Sequence, residues 1–238
     1  MDKNNRLPLY LQLMEDLIKK IDESYYLEGE RLPPERELCE IYKLSRITVR
    51  QALQELEREG YIYKVHGAGT FVSSKRYNQH LVKLYSFTEE MKKNGKVPST
   101  VVLNFEETVV DDRLASKLKI SPFEIVIKVV RLQLADDEPL LYETTYLPKK
   151  FFPNLSKEDL ESRSMYQIFI EDYSLGVTKA IESFKATTLR EEEAKHFQLP
   201  SNQSAMMIKR YAYHNEYLIG YTLGIARGDK FDYIVELT

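Results

Sequence analysis

At 238 residues the chain is long for one compact domain and comfortable for two, each able to bury its own core. Its composition, 43% hydrophobic and 30% charged with a net charge of −3 and no long glycine or proline tract, excludes extensive disorder. No secretory stretch opens the sequence and no run approaches the roughly 18 apolar residues of a membrane span, so a cytoplasmic protein with no membrane partner is expected.

In chain order, Pro8 to Ser24 reads as an amphipathic helix, with Tyr10, Leu13, Met14, Leu17, Ile18 and Ile21 forming a broad apolar stripe. Gly29 ends the following loop. A helix, a tight turn, a second helix and a glycine-tipped hairpin then occupy Leu32 to Val72. Glu35 and Glu37 lie in the opening turn of the first of these helices, where carboxylates suit the positive helix end, and Leu38, Ile41 and Tyr42 follow at helical spacing. Ser45 suits the N-cap of the second. There Val49, Ala52, Leu53 and Leu56 make a core stripe, while Ile47, Arg50, Gln51, Gln54 and Arg58 take the other face. Gly60 stops it, and strands at Tyr61–Val65 and Thr70–Val72 flank His66-Gly67-Ala68-Gly69. This is the layout of a winged helix-turn-helix. An exposed helix fits a major groove, and a small hairpin tip can approach a minor groove or a phosphate, so duplex DNA is the expected partner. From Lys43 to Arg76, seven Lys or Arg stand against three Glu in a chain of negative net charge. Arg58 is assigned to solvent or to an ion pair with Glu55.

The stretch LPPERELCEIYKLSRITVRQALQELEREGYIYKVHGAGTFV resembles the N-terminal signature of the GntR family of bacterial transcription regulators. The likeness rests on Leu32-Pro33, Glu35-Arg36-Glu37-Leu38, Ser45-Arg46, Thr48-Val49-Arg50, Ala52-Leu53, Gly60, Gly67 and Gly69-Thr70-Phe71-Val72. Pro34 departs from it, standing where a serine is usual and removing one hydroxyl contact or cap. The resemblance implies that Arg36, Ser45, Arg46, Thr48 and Arg50 meet bases or phosphates, and that His66, Gly67 and Gly69 form the wing. Arg36 and Arg46 are the base-reading candidates, because bidentate arginine to guanine is the commonest specific contact.

The polar segment SSKRYNQH reads as a linker, and the domain boundary is placed near residue 75: 1–75 binds DNA, and 76–238 senses an effector and dimerises. From Leu81 onward strands alternate with short helices, an α+β pattern. Ser86-x-x-Glu89 reads as a capping box for a helix from Phe87 to about Asn94. Strands are expected at 100–106, 125–135, 140–147, 178–187, 204–214, 217–226 and 231–237, and helices at about 111–118, 164–173 and 190–198. Asp136 to Pro139 and Asn215-Glu216 supply tight turns, so the sheet should be mostly antiparallel. Arg131 sits among aliphatics on one strand and Glu143 on its neighbour. They make either a structural ion pair or a pocket in which Arg131 holds an anion and Glu143 accepts hydroxyl donors.

Residues from about 80 to the end are similar to the UTRA effector-binding domain of the HutC subfamily, whose fold is chorismate lyase-like. The marks are Leu84-Tyr85-Ser86-Phe87-Thr88, Arg131 through Asp137-Glu138-Pro139 to Glu143, Ser164-Met165-Tyr166, and Tyr221 before Arg227-Gly228-Asp229. The resemblance implies an effector site of Ser86, Phe87, Thr88, Arg131, Glu143, Ser164, Tyr166 and Tyr221, holding a small metabolite such as a phosphorylated sugar. Gln133 and Gly220 depart from the phosphate binders, which often carry a second arginine and a carboxylate there. Arg227-Gly228-Asp229-Lys230 is assigned to a turn with a salt bridge.

The single Cys39 allows no intrachain disulfide. The four histidines lack paired ligand spacing, and P-loop, GxSxG and strand-preceded GxGxxG motifs are missing, so no metal site, no cofactor and no catalysis are expected. The expected protein is a homodimeric, ligand-responsive repressor on a pseudo-palindromic operator. An activator of the same architecture, or an enzyme on a chorismate lyase-like fold, are the alternatives.

Overall fold

A computed structural model describes residues 7–73, 77–80 and 86–235, and the chain divides into two compact units, Met1–Arg76 and Tyr77–Thr238. The first carries α1 (Leu9–Asp22), α2 (Glu35–Tyr42), α3 (Arg46–Arg58), β1 (Ile62–Val65) and β2 (Gly69–Val72). Leu13 and Leu17 of α1 pack with Leu38 of α2 and with Val49, Ala52, Leu53 and Leu56 of α3 in one buried cluster. Burial of these aliphatic stripes contributes about 1.5–3 kcal/mol per side chain and fixes which face of α3 is left outward. Ile41, spaced as if to join the core, is exposed instead. The α2–α3 turn passes through Lys43 in the left-handed region, and the Ser45 side chain caps α3 by accepting from the Thr48 backbone N–H. Pro34 occupies the N-cap of α2 without a side-chain bond.

A polar clamp ties α1 to α2. The Tyr42 hydroxyl donates to Asp16 Oδ2 at 2.7 Å and accepts from Lys20 Nζ at 2.8 Å. Burial works to raise the Asp16 pKa, but hydrogen bonds from Tyr42 and Lys20 outweigh it and the carboxyl lies below its usual range. Burial, offset by Lys20, pushes the Tyr42 phenol up to about 12. Tyr42→Phe should therefore cost about 1 kcal/mol at neutral pH. Because the folded pKa of Asp16 is depressed, its contribution is present above the unfolded carboxylate value and lost as pH falls through the folded one. The gap between wild type and variant should narrow below about pH 4. Urea unfolding at pH 7 and pH 3 measures it, and an unchanged gap would refute the linkage.

The wing is an antiparallel hairpin with Val65 opposite Gly69. Gly69 has φ +128°, and a Cβ there would lie 2.6 Å from Arg31 Nε. Gly69→Ala should cost about 1–3 kcal/mol from backbone strain alone, read as a lower melting temperature of the N-terminal unit.

The second unit contains β3 (Tyr77–His80), α4 (Phe87–Lys93), β4 (Pro98–Val109), α5 (Asp112–Leu118), β5 (Ile125–Ala135) and β6 (Glu138–Pro148). A 3-10 turn at Lys149–Phe151 leads to α6 (Lys157–Ser162), α7 (Met165–Glu171), β7 (Lys179–Thr188), α8 (Glu191–Phe197), β8 (Ser204–His214), β9 (Tyr217–Arg227) and β10 (Phe231–Ile234). Six strands form an antiparallel sheet in the order β4-β5-β6-β9-β8-β7. Its strands and helices coincide with the expected ones to within a few residues. Three features differ. The expected linker contains β3, which pairs in parallel with β10; residues 74–76 lie outside the described residues, as do Leu84 and Tyr85. Helix α6 was not expected, although Ser156 and Asp159 make a reciprocal capping box at its start. Ser86 caps α4 through the Glu89 backbone N–H, while the Glu89 carboxylate faces Lys92 at 3.5 Å, so the expected box is present in its forward half.

Each face of the sheet is covered in two patches. On one, α6 and α7 bury Ile127, Val129 and Leu147 beneath Phe152, Ile168 and Phe169, and α4 with β10 buries Leu140 and Ala226 beneath Met91 and Phe231. On the other, α8 covers Leu132, Tyr142 and Ile225, and α5 covers Val126 and Tyr221. At the end of β9, Arg227 binds Asp229 (2.6 Å) and Glu138 (2.9 Å), and Lys230 also reaches Glu138 at 2.8 Å, a structural turn cluster as expected.

Candidate functional site

In the N-terminal unit the core stripe of α3 turns Arg46, Ile47, Arg50, Gln51 and Gln54 outward, all exposed. Arg36 is exposed in the first turn of α2 and pairs with Glu40 at 3.2 Å. Arg50 lies 4.0 Å from Glu35, so the start of α2 adjoins the exposed face of α3. Ser45 and Thr48 share a hydroxyl hydrogen bond of 2.8 Å beside the free N-terminus of α3. His66 and Gly67 form the exposed wing tip, Gly67 at φ +75°. Arg58 pairs with Glu55 at 2.7 Å, toward the other end of the helix. The surface offers guanidinium, amide and hydroxyl donors, which is chemistry for base edges and phosphates.

In the second unit a cleft opens on the sheet between the two covered patches, where α4 and α7 leave the strands bare. Its floor is built by strand register: Arg131 of β5 stands opposite Glu143 of β6, Glu143 opposite Gly224 of β9, and Thr222 opposite Arg210 of β8. Arg131 is 4% exposed and its Nη2 donates to Glu143 Oε2 at 2.7 Å. The same oxygen accepts from Gln133 Nε2 at 3.1 Å, and Gln133 Oε1 accepts from Thr100 at 2.8 Å. Gln133 thus holds Glu143 in place. Arg131 Nε is buried without a hydrogen-bond partner among the described residues. Such an unpaired buried N–H costs free energy. A Cβ at Gly224 would crowd Leu141 at 3.3 Å and touch Glu143 at 3.8 Å, space on the floor that the glycine leaves open.

Ser86, Phe87 and Thr88 enter the cleft from the start of α4, and Ser164 and Tyr166 from the start of α7. Ser86 is occupied as an N-cap, whereas the Ser164 side chain makes no capping bond. Arg210, which sequence reasoning missed, donates to the Tyr166 hydroxyl at 2.9 Å and pairs with Glu182 across the strands. Its alternation with the buried Ala212 on β8 was the available signal. Tyr221 requires correction. It lies on the opposite face, under α5 with Val110, Leu118 and Val126, and burial raises its phenol pKa. Side chains of successive strand residues point to opposite faces, so its neighbour Thr222 lines the cleft instead. Gly220 is outside the lining as well; a Cβ there would meet Leu147 at 3.0 Å, so the missing carboxylate is a packing matter.

Residues 9–72 match the bacterial regulatory proteins of the gntR family, and residues 93–232 match the UTRA domain. The HTH-type transcriptional repressor NagR of Bacillus subtilis is 32% identical over 235 residues, covering 98% of this chain and 96% of that one. A probable fructoselysine utilization operon transcriptional repressor of Escherichia coli is 31% identical over 189 residues, covering 78% and 77%. In fold, the crystal structure of PhnF from Mycobacterium smegmatis superposes with a TM-score of 0.69 over 97% of this chain and 99% of that one, at 23% identity.

Proposed function

The chain belongs to the GntR family of bacterial regulatory proteins and carries a UTRA domain behind its DNA-binding head, and on that premise we propose a homodimeric repressor released from its operator by an anionic sugar derivative, with sugar phosphates as the leading class. The observations that carry the effector class are Arg131, whose Nε has no hydrogen-bond partner among the described residues, and a Ser164 hydroxyl unused by its helix, both of them residues that line the cleft. A phosphate or carboxylate accepts from both. Glu143, held by Arg131 and Gln133, is the group we assign to accept sugar hydroxyls, and those two bonds support the reading. The fructoselysine relative is named for a sugar-derived compound, which agrees with that chemistry. Because this carboxylate is held by a guanidinium and an amide instead of a hydroxyl nucleophile, a binding role is favoured over catalysis.

Residues 1–75 are assigned to operator binding and 76–238 to effector sensing and dimerisation. One recognition helix reads only a few base pairs, and a two-fold pair spaced by about 10 base pairs or a multiple supplies the rest. Release requires that the effector favour one arrangement of the two heads over another, since equal affinity for both would shift nothing.

A thermal-shift screen tests the assignment with sugar phosphates, free sugars and small organic acids. A ligand at 100 times its dissociation constant stabilises by about 2.7 kcal/mol. Sugar phosphates should give the largest shifts and also dissociate the operator complex. Stabilisation by uncharged compounds alone would remove the anion site.

A further inference from the structure

Ile47 is the aliphatic residue on the reading face, and sequence likeness leaves it without a role. It is 80% exposed, in the first turn of α3, while every other aliphatic residue of that helix is buried. Nine residues separate it from Leu56, which at 3.6 residues per turn places it half a turn from the core stripe, so no packing in this unit can cover it. Its neighbours on the same face are Arg46, Arg50 and Gln51. Arginine suits guanine and glutamine suits adenine in a major groove. The apolar base feature there is the thymine 5-methyl group, which is read by apolar contact.

We propose that Ile47 is a specificity-determining residue that packs against a thymine methyl in each operator half-site. This rests on the DNA-binding reading of the first unit. N-terminal residues of a recognition helix contact base edges, and Ile47 is the second residue of α3. An aliphatic side chain gives no hydrogen bond, so its discrimination comes from the area removed from water, about 0.8 kcal/mol per methyl or close to fourfold in affinity.

The experiment uses the full chain and a duplex that it enriches from a random-sequence pool. Each thymine is replaced in turn by uracil, which removes only the methyl. Wild type should lose about fourfold at one thymine per half-site, and about 15-fold when both are replaced. The Ile47→Ala variant should bind the thymine and uracil duplexes equally, with an unchanged melting temperature and salt dependence. Wild-type indifference at every thymine, or an Ile47→Ala variant that keeps the fourfold preference, would overturn the proposal. Failure of wild type to enrich any sequence would instead overturn the DNA-reading assignment on which it rests.

Discussion

Replacing Arg131 by alanine should abolish the response to effector while leaving operator binding intact. The guanidinium supplies the cleft with a buried N–H and a fixed positive charge. Hydrogen bonds to charged groups contribute about 1.5–3 kcal/mol, so effector affinity should fall by about 10- to 100-fold. Operator affinity without effector should stay within twofold, because the reading residues belong to the other unit. The variant has a stability cost too. Glu143 would keep its Gln133 bond and lose its cation, and breaking a fully buried pair typically costs about 3–5 kcal/mol. The cleft is open, so water can solvate the carboxylate and the cost should fall below that range. Arg131→Lys separates charge from geometry: it keeps the cation but cannot span Glu143 and a ligand with one planar fork. Fluorescence anisotropy on operator DNA, with and without effector, reads both quantities, and simultaneous loss of DNA binding and response would sink the division of labour between the units.

Much of this site was legible in the sequence, and the reasons for the exceptions are physical. The head was readable because its information is local: the Ser45 cap, the stripe from Val49 to Leu56 and Gly60 all act within one or two turns. Pairing of Arg131 with Glu143 was only partly readable. A two-residue turn at Asp136-Asp137 puts Ala135 opposite Glu138, and continuing that register would put Arg131 opposite Tyr142. An irregularity between Gln133 and Leu134 absorbs one extra residue and brings Glu143 into place instead. Tyr221 failed for a related reason, since a one-residue change of parity exchanges faces. Arg210 came into the cleft because the hairpin of β8 and β9 pairs through β9 with β6, and that pairing is a property of the whole sheet. The parallel pairing of β3 with β10 joins residues some 150 positions apart and left no local trace.

Replacing Arg46 by alanine should weaken operator binding more than any other single change on the reading face, with little effect on folding. Arg46 opens α3, where the unsatisfied backbone N–H groups are already positive and no acidic residue offsets them. A cation in that turn is locally unfavourable by about 0.3–1 kcal/mol, so its removal should leave stability unchanged or slightly improved. On DNA, in the proposed reading, the same positive cluster would meet base acceptors and phosphates. A bidentate arginine–guanine contact is worth about 1–3 kcal/mol, and the proposed dimer would lose it in both half-sites, so affinity should drop by about 30-fold to more than 10⁴-fold. The pattern of the loss identifies the contact. If Arg46 reads a base, discrimination at one position per half-site relaxes; if it neutralises a phosphate, binding weakens for all sequences and the salt dependence becomes shallower by about one charge per half-site. Arg58→Ala is the matched control, since its guanidinium is engaged with Glu55 at the far end of the same helix. Equal losses for both variants would mean that α3 contributes only a diffuse positive field, and the assignment of Arg46 to base reading would have to be withdrawn.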